Sequence, residues 1–236
     1  MLIHSRDALQ AVKSLAFQRI PVAVSSNYKG LFFEEKVAPL KVGPDYIVFK
    51  APKPQICLSL RYQVWLHSQV LPESVRATLQ TIHTANGEIT LTNFSYTGDY
   101  WRDRQEQRIE PAKPVHAKVN LAKQSFPANL TNLSLHGAGL LVYLGDSTDR
   151  SLVPRSPIEV CFTLSEHIDF HILGTIASCR QMGYSVIQVG VRLQPTLNQV
   201  AWLENYIANR KIEILHELDE KVAHSSSSLQ SRKLIH

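Results

Sequence analysis

Alternation of apolar and polar positions dominates the second half of the chain. Val115, Ala117, Val119 and Leu121 alternate with His116, Lys118 and Asn120, the pattern of a strand buried on one face. Ala128–Leu133, Ala138–Leu144, Ile158–Leu164, Phe170–Cys179 and Ser185–Leu193 continue the series, and Pro195 marks its exit. Closely spaced short strands separated by turns predict a small antiparallel barrel of six strands. A helix of helical apolar period follows, Asn198 to Val222, with Val200, Leu203, Ile207, Ile214 and Leu218 on one side and Ile212, Leu215 and Val222 widening it. Its distal half is long for one barrel alone, which leaves open a homo-oligomer through this helix or packing wholly within the chain. The tail, 223–236, is polar, Ser-rich and expected to be disordered.

The first half begins with a predicted helix, Ser5–Ile20, capped by Ser5 and carrying Leu9, Val12, Leu15 and Ala16. It then turns to β character: Pro21–Ser25, Leu31–Val37, Tyr46–Phe49, Thr78–Thr84 and Glu88–Phe94. The last two flank Ala85-Asn86-Gly87, where Asn-Gly accepts positive φ at low cost. Pro52–Leu71 fits strands or a helical turn. The fold class expected is mainly β: two small β-barrel domains, the second six-stranded and followed by a long helix. The predicted domains are 1–95, a linker 96–114 and a barrel with helix at 115–222. The linker Tyr96–Pro114 shows neither period 2 nor period 3.6, and with few apolar anchors it is expected to be mobile when empty.

Composition excludes several classes. The 236 residues are 44% hydrophobic and 19% charged, ordinary for a globular protein. The three cysteines, Cys57, Cys161 and Cys179, are far apart and form no CxxC motif, so they are read as small buried hydrophobes. The first residues lack the cationic end and apolar run of a signal peptide, and no stretch approaches the length of a membrane helix. The expectation is therefore a cytoplasmic chain with no membrane span. Net charge is +5, yet residues 99–195 hold ten Lys and Arg against nine Asp and Glu. That near-neutral segment argues against a binder of long nucleic acid.

Candidate chemistry concentrates in two clusters, Arg104-Gln-Glu-Gln-Arg108 and Asn132-Leu-Ser134-Leu-His-Gly137. A hairpin of 115–121 with 128–133, through a loop near Gln124–Pro127, brings the residues before Val115 beside those after Leu133. Arginine forks pair with phosphate or with the guanine O6/N7 edge. Asn132 can serve a base edge, the Ser134 hydroxyl a base or phosphate, and Gly137 a positive φ or a close backbone approach. That equipment suits a guanine nucleotide. It does not suit phosphoryl transfer, because there is no GxxxxGK[ST] loop. GxSxG, HExxH and Cys-based motifs are absent too, so no enzyme is expected. The alternatives are a solvated linker with surface salt bridges to Glu106 or Glu110, and a plain β-turn at 132–137. His167, Asp169 and His171 share a strand face, but with no further ligand apparent no metal site is assigned. His136 is read as a bystander.

On RxxxR at Arg104…Arg108 and [DN]xSxxG at Asn132…Ser134…Gly137, with Val189-Gly190-Val191-Arg192-Leu193 as closing strand, the sequence resembles the PilZ domain, a bacterial receptor module for cyclic di-GMP. The first 95 residues resemble, more loosely, the N-terminal domain of YcgR-type flagellar-brake proteins. The resemblance implies that Arg104 and Arg108 clamp guanine and phosphate while Asn132, Ser134 and Gly137 complete the pocket. Arg102, Asp103 and Trp101 are further candidate contacts. Asp103 stands where many members carry another Arg, which favours one ligand molecule rather than a stacked pair. The resemblance further implies a ligand, cyclic di-GMP, and no cofactor. Binding would order the linker and reorient the domains toward a protein partner such as the flagellar motor. It would place the chain in the bacterial cytoplasm, at the flagellar basal body if the brake function holds. The alternative is a PilZ-fold, protein-binding adaptor that has lost the nucleotide.

Overall fold

The computed structural model describes residues 7–53, 63–83, 85–97, 106–145, 152–165 and 168–231, with side chains described to Lys221. Two compact units form: residues 1–105 with 214–236, and residues 106–213.

The first unit opens with α1 (Ala8–Phe17). Ala8, Ala11, Val12, Leu15 and Ala16 are its buried stripe, and it packs against β2 and β6. Asp7 caps it in place of the expected Ser5, its carboxylate accepting from the Leu9 N–H at 2.9 Å. Six strands follow: β1 (Val22–Tyr28), β2 (Leu31–Val42), β3 (Tyr46–Lys50), β4 (Gln63–His67), β5 (Ser74–His83) and β6 (Glu88–Thr97). They close into a barrel in the order β1-β2-β3-β6-β5-β4. The Asn-Gly turn forms between β5 and β6, with Gly87 at φ 59°. The ambiguous stretch Pro52–Leu71 yields β4, while residues 54–62 lie outside the described set.

The second unit holds β7 (Val115–Leu121), β8 (Gln124–Ser134), β9 (Gly137–Tyr143), β10 (Pro157–Ser165), β11 (Ile168–Gln181) and β12 (Val186–Leu193). All pairs are antiparallel, and the barrel closes in the order β10-β11-β12-β9-β8-β7. Its interior is the alternating apolar set read from the sequence, from Val115, Ala117 and Val119 to Val189, Val191 and Leu193. The β7–β8 connection is tighter than the expected loop: Leu121 pairs with Gln124, leaving Ala122 and Lys123, with Ala122 at φ 52°. No glycine marks that turn, so composition did not reveal it.

Helix α2 (Leu197–Ser231) starts in a reciprocal cap. The Gln199 N–H reaches Thr196 Oγ1 at 3.4 Å, and the Thr196 N–H reaches Gln199 Oε1 at 2.9 Å. It continues past Val222, the end that hydropathy predicted, because propagating a formed helix needs no apolar face. Part of the tail expected to be disordered therefore lies in α2, and residues 232–236 are outside the described set. Leu203 joins the second barrel's core. Ile212 and Leu215, expected to widen the buried stripe, are exposed, and the buried position between Ile207 and Ile214 is taken by Arg210. Residues from Ile214 on belong to the first unit, where Glu217 pairs with Lys29 and the Lys221 ammonium lies 5.0 Å from the Tyr28 ring centre. No helix among the described residues is long and apolar enough to cross a membrane.

Candidate ligand-binding turn of the second barrel

Residues 106–114, the C-terminal part of the expected mobile linker 96–114, are docked on the second barrel, while residues 98–105 of it lie outside the described set. Ile109 is fully buried and forms a two-bond bridge with Leu133, each N–H to carbonyl distance being 2.8 Å. One apolar residue among polar neighbours has no periodicity, so its role was not readable from pattern. Two further ties come from α2. Arg210 Nε donates to the Glu110 carbonyl at 3.0 Å, and the Ala112 backbone hydrogen-bonds the Tyr206 hydroxyl. The anchored bridge places Arg108, its immediate neighbour, at the end of β8.

There β8 turns into β9. Ser134 pairs with Gly137, leaving Leu135 and His136 at the tip. A register shift between Leu130 and Asn132 marks a bulge. Bulges re-aim side chains, and this one stands next to Asn132. A Cβ built on Gly137 would stand 3.0 Å from Ser134 Oγ and 3.7 Å from Arg108 Nη2. Ser134 and Arg108 thus both border the space above Gly137. Gly137 is not in the left-handed region, so it serves close approach rather than the positive φ expected as one option.

Asn132 lies on the same outer surface. Its Oδ1 is buried with no hydrogen-bond partner among the described residues, while Nδ2 donates to Thr131 Oγ1 at 3.3 Å. A buried acceptor without a donor is uncommon and marks a place where a ligand N–H can bind. Gly139 makes room for it: a Cβ there would meet Asn132 Nδ2 at 2.5 Å. Arg192 of β12 pairs with Gly137, and its exposed side chain adds a second cation beside the turn. Gly139 reaches this place through the β8–β9 register, opposite Asn132, and Arg192 through the β9–β12 register, opposite Gly137, so neither placement has a sequence spacing of its own. Arg102, Asp103 and Arg104, with Trp101, lie outside the described residues.

The turn also carries an internal anion. Glu106, the middle residue of the arginine motif, accepts from the His136 N–H at 2.9 Å and sits 2.5 Å from its Nδ1. Burial pushes the Glu106 carboxyl up, but the hydrogen bonds from His136 and Ser134 outweigh it and hold the group below the usual carboxylate value. His136 is therefore a partner in the site rather than the bystander expected.

A six-stranded antiparallel barrel followed by a helix thus carries an arginine before β7 and an Asn-Ser-Gly turn at β8–β9. Residues 102–209 match the family model of the PilZ domain, and this part of the chain is a PilZ domain. No curated protein matches the sequence. Among solved structures, the chain is similar to YcgR in complex with c-di-GMP from Escherichia coli, at 16% identity and TM-score 0.44 over 90% of this chain and 93% of that one. It is also similar to the MrkH–c-di-GMP complex of K. pneumonia, at 11% identity and TM-score 0.46 over 89% and 95%. The Bacillus subtilis inhibitor of motility, MotI/DgrA, aligns at 10% identity and TM-score 0.41 over 82% and 96%.

Proposed function

We propose that this chain is a cyclic di-GMP receptor, not an enzyme, and that the ligand binds on the β8–β9 turn of the PilZ domain. The observation that carries the reading is that the Arg108 guanidinium and Ser134 both border the bare backbone of Gly137, near the unpartnered acceptor of Asn132. A guanine offers N–H groups to Asn132 Oδ1 and an O6/N7 edge or phosphate oxygens to the Arg108 fork. The bare backbone at Gly137 lets a flat ring approach, and the Ser134 hydroxyl serves a phosphate or base.

Arg104 is the second guanidinium of the proposed clamp, with Arg102 and Trp101 as outer contacts. Asp103 disfavours a second ligand molecule. Arg108 is already placed by the Ile109–Leu133 bridge, whereas the bond from Arg104 would form only in the ligand-bound arrangement. That difference in affinity is what a ligand needs to shift one domain arrangement toward another. The proposed output is control of a partner protein in motility, on the resemblance to flagellar brakes.

Titration calorimetry of the full chain with cyclic di-GMP, with GTP as control, tests the reading. Two charge-assisted contacts of about 1.5–3 kcal/mol each predict at least a ~100-fold loss in the Arg104→Ala/Arg108→Ala variant. Saturable binding lost in the variant supports the receptor. No binding by the wild type overturns it in favour of a protein-binding adaptor.

A further inference from the structure

On the opposite arc of the PilZ barrel, formed by β7, β10 and β11, three metal-ligating side chains converge outside the nucleotide turn. Glu159 and Cys161 are two apart on β10 and so point to the same outer face, and His171 of β11 is the register partner of Cys161. Cys161 Sγ lies 3.3 Å from His171 Nδ1, and His171 Nδ1 lies 3.6 Å from Glu159 Oε1. All three ligand atoms fall within 4.8 Å of one another.

Those spacings are what a tetrahedral ion requires. Bonds of about 2.3 Å to sulfur and about 2.0 Å to nitrogen or oxygen, at tetrahedral angles, separate sulfur from nitrogen by about 3.5 Å and nitrogen from oxygen by about 3.3 Å. A support for the anionic ligands is also in place. Asn120 of β7, the register partner of Glu159, donates through Nδ2 to Glu159 Oε2 at 2.8 Å and to Cys161 Sγ at 3.5 Å. Such outer donors orient the ligands. Asp169, the other carboxylate on this face of β11, is engaged by the Thr163 hydroxyl at 2.5 Å and is not part of the cluster.

We propose that Glu159, Cys161 and His171 form a binding site for a single zinc ion, with solvent or an added ligand in the fourth position. Thiolate, imidazole and carboxylate together select zinc over magnesium or calcium, which prefer oxygen alone. The charge balance fits as well. A thiolate and a carboxylate supply two negative charges, against the one positive charge of Lys118, which pairs with Cys161 from β7. Cys161 and His171 also line a cavity of about 490 Å³, which leaves the fourth position accessible. The site shares no residue with the β8–β9 turn and does not depend on the nucleotide reading.

The test is competition of the full chain with a chromogenic zinc chelator, using zinc alone, and the absorption spectrum with cobalt(II) alone. The wild type is expected to take up one zinc per chain, and its cobalt form to show a thiolate-to-metal charge-transfer band. Loss of an outer donor typically costs 10–100-fold in affinity. Cys161→Ser and His171→Ala, which remove ligands themselves, should each weaken zinc at least ~10-fold, and Cys161→Ser should abolish the band. A Cys57→Ser/Cys179→Ser variant, keeping Cys161, should bind as the wild type does. No zinc uptake, no charge-transfer band, or wild-type affinity in either ligand variant overturns the proposal.

Discussion

Glu106 sits on His136: the carboxylate accepts the His136 N–H at 2.9 Å and approaches its Nδ1 to 2.5 Å. Glu106 lies between the two arginines of the clamp motif, and His136 lies at the tip of the Asn-Ser-Gly turn. The motif thus brings its own anion to the surface proposed for an anionic ligand. Neutralising it removes a repulsion. Glu106→Gln is expected to bind cyclic di-GMP more tightly. An exposed charge contact is worth up to about 1 kcal/mol, or about fivefold in Kd. Calorimetry of the two proteins under one salt concentration measures the difference.

The same pair has a pH signature. The Glu106 carboxyl is held below its ordinary value in the folded chain, so its contribution to stability is present above the unfolded pKa and is lost as pH falls through the folded one. Thermal melts of wild type and Glu106→Gln should differ at neutral pH and converge in acid, below the usual carboxylate range. A difference that is constant with pH would deny the carboxylate this role.

Ile109 links stability to the site. It is fully buried and bonded to Leu133 on both sides of the bridge. Ile109→Ala should destabilise the PilZ domain by about 2–5 kcal/mol, read by denaturant unfolding. It should also weaken cyclic di-GMP although every proposed ligand contact is intact, because Arg108 loses its anchor. Unchanged affinity in a stably folded variant would show that Arg108 is positioned by something else.

In the first barrel, His67 joins two buried serines across three strands: its Nε2 is 2.7 Å from Ser25 Oγ and its Nδ1 is 2.5 Å from Ser74 Oγ. A neutral imidazole donates through one nitrogen and accepts through the other, so both hydroxyls are satisfied. Ser74→Ala removes the hydroxyl that meets Nδ1 of the buried ring, and a loss of about 1–3 kcal/mol is expected by chemical denaturation. The double variant Ser25→Ala/Ser74→Ala should lose a different amount from the sum of the two single ones, since both act through one ring.

Much of the fold was legible because strand alternation is a local signal. Val115–Leu121 was read to the residue, and the other five strands of the second barrel within a few positions. What escaped depends on pairing between distant segments. Ile109 is one apolar side chain in a polar stretch, and only its bridge to Leu133 makes it core. Arg210 stands in an apolar stripe where its Nε reaches the Glu110 carbonyl at 3.0 Å and its Nη1 lies 2.9 Å from the Glu213 carboxylate. Arg108 and Asn132-Ser134-Gly137 were legible as a juxtaposition because hairpin geometry alone brings them to one end. Gly139, Arg192 and Glu106 were not, since each reaches that end through a register or a hydrogen bond with no sequence spacing of its own. Cys161 was read as a buried hydrophobe, yet the outward face of β10 sets it against His171.

The central claim is that cyclic di-GMP binds on the β8–β9 turn, and the most direct measurement is a titration followed by backbone amide NMR shifts. The account predicts saturable shifts concentrated at Arg108, Ile109, Asn132–Gly139 and Arg192, with the amides around Ser25 and His67 in the first barrel unmoved. Shifts centred elsewhere, or none at saturating ligand, would contradict it.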